Sequence, residues 1–151
     1  MNTLSYKTIA ANEKIVKKEW IVIDAQNEIV GRLSTVAARI LRGKTKTYFS
    51  PHFDCGDNVI IINADKVRFT GNKMEEKEYV RHTGYPGGQR FTTPKQLLKK
   101  KPVEILEHAI KGMLPKNKLG AQLYRNLYVY AGPEHPHEGQ TPKIININEI
   151  K

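Results

Sequence analysis

A chain of 151 residues with 39% hydrophobic content is long enough to bury a real core, which excludes a disordered tail as the whole protein. Mean hydropathy of −0.53 and apolar runs as short as Val59–Ile62, far too short to span a bilayer, exclude a helical membrane protein. A formal charge of +10, from 25 Lys and Arg against 15 Asp and Glu, calls for a polyanionic partner, nucleic acid before membrane.

Residues 1–18 are mixed and weakly patterned, lack the apolar core of a secretory signal, and read as an N-terminal extension to a body over 19–151. Cys55 is alone, which rules out an internal disulfide framework and fits a reducing cytoplasm. Trp20–Asp24, WIVID, is a near-continuous apolar run of the kind found in strands buried on both faces. Gly31–Arg42 follows as a helix. Leu33, Val36, Ala37, Ile40 and Leu41 share one face, Arg32, Arg39 and Arg42 lie beside it, and Gly43 is the stop. Val59–Ala64 repeats the buried-strand pattern, so the first 64 residues predict a β-α-β unit.

Lys66–Thr70 and Glu78–His82 read as short strands, with a helical turn in GNKMEEK between them. HTGYPGGQR, His82–Arg90, packs three glycines and a proline into a loop. Thr93 and Pro94 form an N-cap and first-turn pair. A helix after Pro102 carries Val103, Leu106, Ile110, Met113 and Leu114 on one stripe and ends near Gly112 or Met113, because Pro115 disfavours helical geometry at Leu114. Met113 and Leu114 are expected to be buried. Leu119, Leu123 and Leu127 suggest one more helix, and Leu127–Ala131 and Lys143–Asn148 are strand candidates around the Pro- and His-rich GPEHPHEGQTP.

The charge is unevenly placed. Ile29–Phe53, Tyr79–Lys101 and Ala109–Arg125 hold five, six and four basic residues and no Asp or Glu. Stretches emptied of acid avoid repelling phosphate. Three contact groups are predicted: Arg32, Arg39, Arg42, Lys44 and Lys46; then Arg81, His82, Tyr85, Gly87, Gly88 and Arg90 with Lys95, Lys99, Lys100 and Lys101; then Lys111, Lys116, Lys118 and Arg125. Lys111 also has a helix partner in Glu107, worth only ~0.2–0.5 kcal/mol. Arginine forks suit phosphate oxygens, glycine loops let backbone N–H groups approach them, and aromatics stack on bases.

Other chemistries fit less well. RGKT at Arg42–Thr45 has the end of a phosphate-binding loop, but Ala38 stands where its first glycine belongs, and a helix precedes it instead of a strand. EHPHE offers His135 and His137 without any strong metal spacing, so these histidines read as donors to phosphate or base edges. Ser34, Ser50 and Cys55 lack a supporting base motif, which argues against an enzyme and for no cofactor. An RNA-processing enzyme and a regulator of one structured RNA are the alternatives.

IKGMLPKNKLG followed by YRNLYVYAGPEHPH resembles the signature region of bacterial large-subunit ribosomal protein thirteen. The likeness runs through WIVIDAQNEIVGRLSTVAARILRGK, NADKVRFTGNK and YVRHTGYPGGQR, covering roughly Trp20 to Pro142. It implies a three-layer α/β/α sandwich around a short, mainly parallel sheet. It further implies binding to large-subunit (23S) rRNA beside neighbouring ribosomal proteins, and an early structural role in subunit assembly in the cytoplasm. Ala121 departs from the pattern, standing where a basic residue is expected in many relatives.

Overall fold

The computed structural model describes residues 11–147. It is an α/β fold whose main sheet is wholly parallel. β1 (Trp20–Asp24), β2 (Asn58–Ile62), β5 (Leu127–Val129) and β6 (Lys143–Ile144) lie in the order β5-β2-β1-β6. Between them come α1 (Val30–Leu41), α2 (Lys73–Glu76), the hairpin strands β3 (Tyr79–His82) and β4 (Gln89–Thr92), α3 (Pro94–Lys100), α4 (Pro102–Met113) and α5 (Lys118–Tyr124). No helix among the described residues is long and apolar enough to cross a membrane.

The topology decides which face each helix covers. The chain steps from β1 to β2 through α1 and from β2 to β5 through α4, moving the same way across the sheet each time. Right-handed crossovers in one direction put both helices on one face. Ile21, Ile23, Val59 and Ile61 point to that face and pack with Leu33, Ala37, Ile40, Leu106 and Ile110. Each such large side chain, when fully buried, contributes roughly 1.5–3 kcal/mol.

The return from β5 to β6 runs backwards across the sheet and therefore over the other face. Trp20 and Tyr128 lie there, on the alternate pleat with Val22 and Ile60. His137 from the return segment stacks on both, with ring centroids 5.1 Å from Trp20 and 4.7 Å from Tyr128. Its Nε2 lies 2.8 Å from the Tyr130 hydroxyl. The expected outer layer on this face is thus supplied, among the described residues, by a proline-stiffened loop with one 3-10 turn (Glu138–Gln140).

The helix limits follow local chemistry. Gly43 takes φ 76 after α1, as its reading as a stop requires. Thr93 caps α3 with a full capping box to Gln96. α4 ends at Met113, and Leu114 turns to extended backbone ahead of Pro115. Leu114 is buried as expected, but Met113 is 46% exposed, so the apolar stripe stops one turn earlier on that side. Lys66–Thr70 does not form a strand. Only Arg68 bridges, to Ile29, because Ala64–Lys66 wind into a 3-10 turn with Asn63 at φ 56 and leave Val67 to plug the core. The last two strands are shorter than expected, ending at Val129 and Ile144, and Asn148 lies outside the described residues. Leu127 belongs to β5 and not to α5.

Residues 11–19 of the N-terminal stretch are pinned to the body. The Ala11 N–H donates to Ser50 Oγ at 3.1 Å, Lys18 pairs with buried Asp54 at 2.6 Å, and the Glu19 N–H donates to Asp57 Oδ1 at 2.8 Å. Residues 1–10 lie outside the described part.

Candidate nucleic-acid interface

Helix α4 is the axle of the site. α1 crosses it on one side, α3 packs on another, and α5 follows it in the chain. The three basic stretches, far apart in sequence, are therefore gathered around one helix.

On the α1 side, Arg39, Arg42 and Lys44 surround a hollow of about 560 Å³ closed by Met113 of α4 and free of acidic residues. The Arg42 guanidinium lies over the Phe49 ring at 5.8 Å. Arg32 is exposed earlier on α1, outside this hollow.

On the α3 side, the β3–β4 hairpin places Arg81 directly opposite Arg90. Like charges across a strand pair repel. Neither has an acidic partner among the described residues. Both border a groove of about 390 Å³ with Lys100, Lys101 and His108, where Glu104 is the one carboxylate. At the hairpin tip Tyr85 is 77% exposed, and His82 Nδ1 accepts the Gly84 N–H at 2.9 Å. Gly88 is required by close approach: a Cβ there would lie 2.8 Å from the Tyr85 carbonyl oxygen, which cannot turn aside. Gly87 takes φ 71. Lys99 is exposed, whereas Lys95 pairs with Glu75 at 3.0 Å.

At the end of α4 a third, acid-free cleft of about 610 Å³ opens between α4 and α5, bordered by Lys111 and Lys116. It shares His108 with the hairpin groove. The Lys111 ammonium stands 5.6 Å from the Tyr124 ring centre, an aromatic contact where helix spacing offers Glu107. Lys118 and Arg125 are exposed at the two ends of α5.

Three predicted contacts have internal partners instead. Lys46 donates to Asp57 Oδ1 at 2.5 Å and to the Lys17 carbonyl at 2.6 Å. Burial alone would lower its pKa. The hydrogen bond and charge of Asp57, helped by Tyr48, outweigh that and leave the ammonium raised above its ordinary value. A raised lysine pKa contributes stability that is complete below about pH 10.4 and is lost as pH rises through the folded value. Lys46→Met is therefore expected to make the fall in stability above about pH 10.4 shallower than the parent's, read by thermal melts across pH 7–11.5. His137 is held in the aromatic stack, and its N–H donates to His135 Nδ1 at 3.2 Å.

Comparison with known proteins agrees with the motifs. The family model described as Ribosomal protein L13 matches residues 18–136. A Spiroplasma citri protein named large ribosomal subunit protein uL13 is 58% identical over 136 residues, covering 90% of this chain and 93% of its own. Proteins of the same name from Symbiobacterium thermophilum and Chlorobium limicola are 54% and 50% identical, covering 93% and 97% of this chain and 99% and 98% of their own. The chain belongs to the ribosomal protein L13 family. The L13-family match spans all three basic groups and the whole of α4, while β6 falls outside it.

Two side chains of the candidate site in this L13-family chain escaped the sequence reading. His108 joins two of the hollows and stacks on Tyr79 at 5.9 Å, and Tyr124 walls the third. The only sequence signal for His108 was a polar residue on the exposed side of an amphipathic helix, which is ordinary. Tyr124 resembled core.

Proposed function

We propose that this chain is a structural constituent of the large ribosomal subunit, not an enzyme. It binds 23S rRNA through its acid-free basic surfaces and supports early subunit assembly in the cytoplasm. The observation that carries this reading is the convergence of the three basic groups on α4, two of them around hollows with no carboxylate. The names of the relatives support the ribosomal setting. Mechanistically, the parallel sheet and its helices form a stiff body that fixes cations at several separated points. RNA segments that meet those points are neutralised and held in register with one another.

The test is association with RNA after Lys116→Ala and Lys118→Ala are combined. Both side chains are exposed, so the double variant is expected to melt like the parent. It should cosediment less with large subunits as salt rises, and its log K against log salt slope on a 23S rRNA fragment should be shallower by about 2. Unchanged slope and unchanged cosedimentation would show that these lysines are merely solvated.

A further inference from the structure

The cleft between α4 and α5 has the construction of a pocket for one unstacked nucleobase. We propose that it captures a base extruded from RNA, with the flanking phosphate on Lys111 and Lys116. The inference rests on the RNA-binding reading and sharpens it, since phosphate contacts alone would need no pocket.

Three observations carry it. The first is shape. Leu114 leaves the helix, Pro115 cannot continue it, and α5 starts again only at Lys118, so the chain turns around a hollow of about 610 Å³. The turn is kept tight by Gly120, where a Cβ would lie 1.8 Å from the Pro115 carbonyl oxygen. Gly112 and Ala121 leave the rim low. The second is surface chemistry. The lining is largely apolar, with Leu114, Pro115 and Ala121, and two rings, His108 and Tyr124, stand in its walls. Stacking on aromatic rings is how single-stranded bases are held, because every base has a π-face.

The third is charge and hydrogen bonding. The lining contains two lysines and no carboxylate. Lys111 covers the Tyr124 ring at 5.6 Å, a cation that can move to a phosphate and free the ring for a base. Asn117 Oδ1 accepts the Gly120 N–H at 2.8 Å as the cap of α5. That fixes the amide orientation and leaves its NH2 to donate to a base carbonyl. The Arg39–Arg42–Lys44 hollow, by contrast, has no aromatic ring in its lining and suits phosphate alone.

The probe is an RNA hairpin with a single bulged 2-aminopurine, compared with the same hairpin without the bulge. The bulged hairpin is expected to bind about tenfold or more tightly, with its fluorescence quenched. Tyr124→Leu should abolish both differences, while Arg39→Ala should weaken both hairpins equally and keep the quench. Tyr124 also packs against the core, so a second measurement uses the parent protein. With 5-iodouridine at the bulge, photocrosslinking should give an adduct at Tyr124 or His108. Equal, salt-dependent binding of both hairpins, or crosslinks only outside residues 108–124, overturns the pocket and leaves the RNA-binding reading intact. No binding of either hairpin at low salt overturns both.

Discussion

Raising salt from 50 to 200 mM is expected to weaken binding of this protein to a 23S rRNA fragment by ~10³–10⁵. Each phosphate that a cation neutralises releases condensed counterion, and the effect multiplies with the number of contacts. Arg39, Arg42 and Lys44 on one side of α4, Arg81, Arg90, Lys100 and Lys101 on another, and Lys111, Lys116 and Lys118 at its end have no acidic partner among the described residues. Engagement of six to ten of these cations gives a slope of about −5 to −9 in log K against log salt. Lys46 and Lys95 are different, since each is already paired with a carboxylate. Lys46→Met and Lys95→Met should leave the slope within error of the parent, whereas each exposed cation removed should cut it by about 0.9. A filter-binding series from 50 to 200 mM salt decides the point, and a flat response would sink the electrostatic mechanism.

Gly56→Ala is expected to destabilise the fold by about 3–5 kcal/mol, at the severe end of single substitutions. The reason is a backbone crossing. The loop after α1 doubles back beneath the end of that helix, and a Cβ at Gly56 would lie 1.7 Å from the Leu41 carbonyl oxygen and 2.5 Å from its carbon. Neither atom belongs to a movable side chain. The only relief is to push the loop away from the helix. That would pull on Asp57, whose Oδ1 holds both Lys46 and the Glu19 N–H. At roughly 2–4 °C per kcal/mol for a chain of this size, the melting temperature should fall by about 6–20 °C. Gly31→Ala, in open space at the start of α1, provides the control and should melt no lower than the parent. Equal melting of Gly56→Ala and parent would refute the crossing.

Much of this molecule is legible in the sequence wherever the signal is local. WIVID and VIII announce buried parallel strands as near-continuous apolar runs, and α1 and α4 by apolar stripes of helical period. Thr93, Pro94 and Gly43 mark helix limits through conformations that few residues tolerate. The motif resemblance to the L13 family is also borne out. What the sequence hides is pairing at a distance. Lys46 lies in an acid-free window, yet Asp57, eleven residues on, folds back to meet it. His137 lies in a loop rich in proline and glycine, yet strands 20–24 and 127–129 provide the rings it stacks on. Met113 fits the α4 stripe by period, but it meets only the edge of α1 at Thr35 and stays half exposed. Each case is decided by a crossing of segments that no window of ten residues contains.

The edge strand β6 has a consequence for how the chain is made. Its two residues pair with β1, so Lys143 meets Ile21 and Ile144 meets Val22 across nearly the whole sequence. β1, α1 and β2 can assemble early in synthesis, and β5 can join once α4 is finished. The β1–β6 seam can close only after residue 144 has been translated. Closing so long a loop is entropically slow but only modestly costly once the rest is in place. Until then β1 keeps an open edge, the kind of exposed ladder that invites mispairing between nascent chains. Chains stalled before residue 143 should therefore be more prone to aggregate than chains that carry β6, which covers the open edge of β1.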